Sequence, residues 1–194
     1  VLDYIIDNSI LDPTNGKGVS SIYECINLAS ELNCSVVVLP LMEESALTTD
    51  NFTVMSKVVR EAGFLADEFN IMVCVETLLP AEDLNKFINI VELKNLKAVF
   101  DTGNRVIETM DLRSEIITMG TNIGHVHIKD KDRFGRNVVL GSGLVDFCGV
   151  FEALEEISYD GCLNFETNRG AIPLDTAQFN IALCDFFARN AKNS

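Results

Sequence analysis

KAVFDTGNRVIETMDLRSEIITMGTNIGHVHI, residues 97–128, contains two short apolar runs that each carry a metal-type ligand at the end, with a helical stretch between them. The run at 97–101 ends on Asp101, and the run at 123–128 carries His127 beside its last residue. A strand that is apolar throughout belongs in a sheet covered on both faces, and two such strands joined by a helix form a parallel crossover unit. Working outward, the same pattern recurs: IMVCVE ends on Glu76 and CLNFE ends on Glu166. A polar last residue on an apolar strand sits at the carboxyl edge of the sheet, where parallel α/β proteins assemble their sites.

The rest of the chain alternates in the same way. Helical stretches are expected at 19–32, 50–69, 81–92, 108–119, 147–157 and 173–190, and strands at 34–41, 71–76, 97–101, 123–128 and 161–166. In the second helix Val54, Val58, Ala62, Leu65 and Phe69 fall on one stripe, and residues 1–6 read as the tail of a sixth strand. The repeat is broken at 129–146, a charged, glycine-containing loop of the kind that more often carries function than not. A single α/β domain over residues 1–194 is expected: a (β/α)8 barrel present in part, with an open five-stranded sheet as the competing architecture. The first residue is Val1, and the amino-terminal barrel units are expected to lie upstream in a longer protein.

Composition narrows the partners. With 29 acidic against 15 basic residues the formal charge is −14, which repels a phosphate backbone and makes nucleic acid a disfavoured partner. No apolar run reaches the roughly 18 residues of a membrane helix, and no signal peptide opens the chain. The six cysteines are scattered through apolar stretches with no CxxC, so they read as reduced core thiols in a cytoplasmic protein.

Glu76, Asp101, His127 and Glu166 are spaced 25, 26 and 39 residues apart, each on a different expected strand. Singly, a carboxylate at a strand end is most often a helix cap or a surface charge. Four in succession are a candidate metal set, and three carboxylates with one imidazole suit Mn2+, Mg2+, Co2+ or Zn2+. His125 and His127 point to the same face of their strand; His127, nearer the carboxyl end, is assigned to the metal, and His125 to the pocket interior. Lys129 and Arg169 follow two of the ligand strands, and Gly141 and Gly143 allow backbone to approach an anion, so a phosphorylated substrate is expected.

VETLLP, VFDTGN, IGHVHIKD, LGSGLVDF and YDGCLNFETNRG together resemble the successive strand ends of the xylose isomerase-like TIM barrels, in particular the sugar phosphate isomerases and epimerases. The resemblance runs from about Ser9 to the carboxyl terminus. It implies one divalent metal held by Glu76, Asp101, His127 and Glu166, with the two glutamates also acting as acid and base on opposite faces of the substrate. Asn104 stands where some members carry a histidine, and with His125, Lys129 and Arg169 it makes up the expected substrate contacts. With two histidines in the chain, the multi-histidine site of the superfamily's DNA-repair endonucleases cannot be built. The activity implied is proton abstraction beside a sugar carbonyl. The alternatives are an inosose-type dehydratase on the same site and a non-catalytic sugar-binding barrel, and a homo-oligomer is open.

Overall fold

The computed structural model describes residues 2–12, 14 and 17–191. They form parallel strands joined by helices, in two compact units, Val1–Val99 and Phe100–Ser194, with the division falling inside one strand.

In the first unit, α1 (Tyr4–Asp7) and α2 (Lys17–Glu31) precede β1 (Val36–Pro40). Two short 3-10 turns then lead into α3 (Phe52–Glu68), followed by β2 (Met72–Glu76), α4 (Ala81–Val91) and β3 (Leu96–Asp101). The sheet here runs β1-β2-β3. It is parallel, with Val36 opposite Met72 and Cys74 opposite Lys97. On one face Val38, Cys74 and Val99 pack together, flanked by Val36 and Met72. The alternate residues Val37, Leu39, Val73, Val75 and Ala98 point the other way and are also buried.

α2 buries Gly18, Ile22, Ile26 and Ala29, a stripe at helical spacing. α4 starts after Pro80 with Glu82 and Asp83 in its first turn, where the helix dipole favours negative charge, and buries Leu84, Phe87 and Val91. Two expectations are corrected in this unit. Residues 4–7 turn as a helix rather than continuing a strand, and the Leu2 amide donates to the Val38 carbonyl (3.2 Å); Val1 lies outside the described residues. In α3 the buried stripe is Met55, Ser56, Val59, Ala62, Gly63 and Ala66, while Val54 and Phe69 are exposed. Small residues on that stripe let the helix lie close to its neighbours, which outweighs the larger apolar area of the expected face.

The second unit takes up the end of β3 and continues through α5 (Thr102–Glu108), α6 (Leu112–Met119) and β4 (Ile123–Ile128). A small antiparallel ribbon, β5 (Asp130–Lys131) with β6 (Asn137–Val138), precedes α7 (Phe147–Glu156), β7 (Leu163–Phe165) and α8 (Pro173–Ala191). Strand order here is β3-β4-β7, and β4 pairs in parallel with β7 through Val126–Leu163 and Ile128–Phe165. Aspartate side chains cap three helices: Asp101 accepts from the Asn104 amide, Asp111 from Ser114 and Asp146 from Gly149. The helix expected at 108–119 is thus two helices, since Asp101 starts α5 six residues earlier and Asp111 starts α6. Phe147 and Phe187 stack with centroids 5.1 Å apart where α7 meets α8. Among the described residues no helix is long and apolar enough to cross a membrane.

All six cysteines are free thiols. Cys74 and Cys184 are buried as expected, whereas Cys34 and Cys162 are exposed.

Candidate metal centre

Asp101 does two things at once. Its Oδ1 accepts the Asn104 amide at 2.7 Å, starting α5, and this holds the carboxylate still. Its Oδ2 is buried and turned toward two cationic or ligating groups. That oxygen lies 3.5 Å from His127 Nδ1 and 2.9 Å from the Lys129 ammonium. His127 is buried on β4, and its Nδ1 also faces Glu166 Oε1 at 3.9 Å. Glu166 follows β7 directly, with its amide bonded to the Ile128 carbonyl at 3.1 Å and its side chain about half exposed. One ligand atom each from Asp101, His127 and Glu166 thus falls within 4.8 Å of the other two.

A buried carboxylate oxygen beside an imidazole nitrogen and a second carboxylate is the donor set a divalent cation takes. The three residues therefore fit a metal ion.

The electrostatics follow from the crowding. Burial alone would push the Asp101 carboxyl up, but the His127 contact and the Lys129 charge outweigh it and hold it below its ordinary range. For Lys129 burial alone would lower the ammonium, and the Asp101 and Glu166 charges raise it instead. His125 is pushed down by burial and then by its neighbour His127, whose ring stands edge-on with centroids 5.2 Å apart. His125 is thus a neutral, buried ring beside His127 on the same face of β4.

The remaining expected residues fall as follows. Glu76 ends β2 in the first unit, buried at 5 % exposure, with its backbone carbonyl accepting the Leu41 amide at 2.8 Å. Asn104 lies in the first turn of α5 and accepts the Lys131 ammonium at 3.0 Å. Arg169 is exposed between β7 and α8. Lys129 is buried and makes ion pairs with both Asp101 and Glu166.

Two features went unread in the sequence. Asp130 is fully buried, and its Oδ2 accepts the amides of Gly141 (2.9 Å) and Gly143 (2.8 Å), while its Oδ1 accepts that of Val145 (3.1 Å). The anion that the two glycines approach is this carboxylate of the chain itself. The signal was a charge directly after an apolar strand and ahead of a loop with repeated glycines. Thr102 is the second: its buried hydroxyl donates to the Lys129 carbonyl at 2.6 Å and accepts the Lys129 amide at 2.9 Å. A threonine next to a strand end carries no such signal.

Residues 7–183 match the family described as the xylose isomerase-like TIM barrel. The uncharacterized protein MJ1311 of Methanocaldococcus jannaschii is 27% identical over 167 residues, covering 76% of this chain and 56% of the relative. L-ribulose 3-epimerase of Methylomonas sp. is 33% identical over 81 residues, 42% of this chain and 27% of that protein. Among solved structures, one of an L-ribulose 3-epimerase superposes with a TM-score of 0.81 at 22% identity, covering 95% of this chain and 71% of that one. The matched part of this chain spans little more than half the length of MJ1311 and about a quarter of the epimerase sequence. The strand–helix alternation and the parallel pairing are those of a partial barrel, and the chain belongs to the xylose isomerase-like TIM barrel family.

Proposed function

We propose that this chain carries the metal centre of a divalent-metal-dependent ketose epimerase or isomerase, acting on the carbon beside the sugar carbonyl. The observation that carries it is the cluster of Asp101 Oδ2, His127 Nδ1 and a Glu166 carboxylate oxygen around one point. The relatives' names support the class: besides the L-ribulose 3-epimerase, a ketose 3-epimerase of Arthrobacter globiformis is 35% identical over 92 residues. The family match runs through both compact units, which supports reading them as one domain.

We assign Glu76 as the fourth ligand. Its support is strand parity: Cys74 and Val99 pack on one face, Glu76 follows Cys74 by two residues, and Asp101 follows Val99 by two. Each is also the last residue of its strand, Glu76 of β2 and Asp101 of β3. Such an arrangement separates the roles. Asp101, capped against α5, and His127, packed by His125, hold position. Glu166, half exposed, has the freedom to take a proton from one face of a bound ketose, and Glu76 returns one from the other. The chemistry a divalent ion supplies there is stabilisation of the negative charge that develops on the substrate oxygens.

A phosphorylated sugar was expected partly because Gly141 and Gly143 could receive an anion. Their amides are bonded to Asp130, which favours an unphosphorylated ketose.

Mn2+ titration tests the metal assignment against a Glu166→Gln, His127→Ala double variant: the native chain binds and the variant does not, and equal binding refutes it. For the chemistry, a ketose incubated in D2O should gain deuterium at the carbon beside its carbonyl. Glu166→Gln should abolish the gain and Glu76→Gln should abolish inversion at that carbon, each with metal still bound. Loss of water from the substrate would identify a dehydratase instead.

A further inference from the structure

Three neighbouring residues on α5 and β3 are arranged around a single lysine. Lys129 has its backbone clamped on both sides by the Thr102 hydroxyl, which donates to its carbonyl and accepts its amide. Its stem runs across Gly103, where a β-carbon would come within 2.8 Å of Lys129 Cγ and 3.1 Å of Cβ. Its ammonium ends on Asp101 Oδ2 and Glu166 Oε2, and the side chain is 8% exposed. The Asp-Thr-Gly of residues 101–103 thus receives the charge, fixes the backbone and makes room for the stem.

We propose that Lys129 is a built-in counter-cation, which holds Asp101 and Glu166 together in the metal-free protein and must leave them before a divalent ion binds. The inference rests on the metal-centre reading above. Without a cation, two carboxylates sit beside one imidazole in a partly buried setting, and their mutual repulsion would spread them. The ammonium removes that repulsion and keeps the ligands near their bonding geometry. A divalent ion bonded to the same oxygens at about 2.1 Å would repel an ammonium left in place, so the two cations exclude each other.

The exclusion has a measurable size. When a site is competent only while the lysine is away, the apparent dissociation constant is the intrinsic one divided by the fraction of time it is away. With the lysine in place in about nine molecules of ten, its removal tightens metal binding about tenfold. The gain is specific to taking the ammonium off the ligands, since a substitution that merely loosened the fold would weaken binding.

Calorimetric titration of the whole chain with Mn2+ alone, native against Lys129→Met, reads this directly. The expected result is about tenfold tighter binding in Lys129→Met. Lys129→Arg, which keeps the charge, should stay near native, and metal-free Lys129→Met should melt below metal-free native protein. Gly103→Ala, which crowds the stem while leaving every charge in place, should also tighten binding. Equal affinity in native and Lys129→Met leaves the metal centre standing and overturns the counter-cation. Weaker affinity in Lys129→Met overturns it too, by making Lys129 a support of the ligands. No Mn2+ binding by either protein overturns the metal centre itself, and the inference with it.

Discussion

Replacing Asp130 by alanine takes one buried carboxylate away from three backbone amides. Gly141 and Gly143 both donate to Oδ2, at 2.9 and 2.8 Å, and Val145 donates to Oδ1 at 3.1 Å. A hydrogen bond to a charged acceptor contributes about 1.5–3 kcal/mol, but the three do not add, because the two glycine amides are part-buried and recover water. The Val145 amide lies in a buried contact and keeps its desolvation cost. The expected net loss is about 3–5 kcal/mol, with about half of that for Asp130→Asn, which keeps one oxygen acceptor and turns a donor toward the amides. Urea unfolding of both variants measures the loss. Amide exchange adds location: protection should fall at Gly141, Gly143 and Val145 and stay unchanged in β1 and β2. A loss below about 1 kcal/mol, with those three amides still protected in Asp130→Ala, would refute the reasoning, since it would mean the loop base is held by something else.

Thiol reactivity should divide the cysteines by burial. Cys34 and Cys162 are exposed and should react with a thiol reagent in the native protein, while Cys74, buried with its thiol pushed up to about 12, should react only on unfolding. Fast native-state labelling of Cys74, followed by mass spectrometry of its peptide, would contradict the packing described. Acid and alkali should act on opposite members of the Asp101–Lys129 pair in the metal-free chain. Asp101 is held below its ordinary value of about 3.9, so its contribution to stability is complete above that pH and is lost as pH falls through the lowered folded value. Lys129 is held above its ordinary value of about 10.4, so its contribution is complete below that pH and is lost as pH rises through the raised folded value. Urea midpoints across pH, native against Lys129→Met, should therefore differ through the neutral range and converge toward the alkaline end.

Strands β1 to β4 were legible because burial on both faces forces a continuous apolar run, and β4 falls at 123–128 as expected, whereas β7 is exposed along most of its length. Their ends were legible for a related reason: a charged residue closing such a run has to sit at the sheet edge. What escaped the sequence depended on contacts between distant positions. Asp101 reads as a ligand, and nothing local says that its other oxygen starts a helix, which is why α5 was placed late. The Tyr4–Asp7 turn is too short for periodicity to separate helix from strand. Residues 130–138 are charged and polar, so the β5–β6 ribbon left no alternation to read. Lys129 reads in the sequence as a substrate contact, because the fold alone brings Thr102 and Gly103 beneath it.

β3 passes into α5 at Asp101 with no residue between them. That junction has a consequence for how such a chain can change over evolutionary time. An insertion after Asp101 would carry the Asn104 amide away from the Oδ1 that accepts it, so the length of this connection is constrained. Residues 132–136 form a turn closed on Asp132, which accepts the amides of Phe134 and Arg136 and pairs with the Arg136 guanidinium, so these contacts stay within the turn. A longer turn there would leave Asp101 and its cap untouched, while the β3–α5 junction needs a side chain that starts the helix.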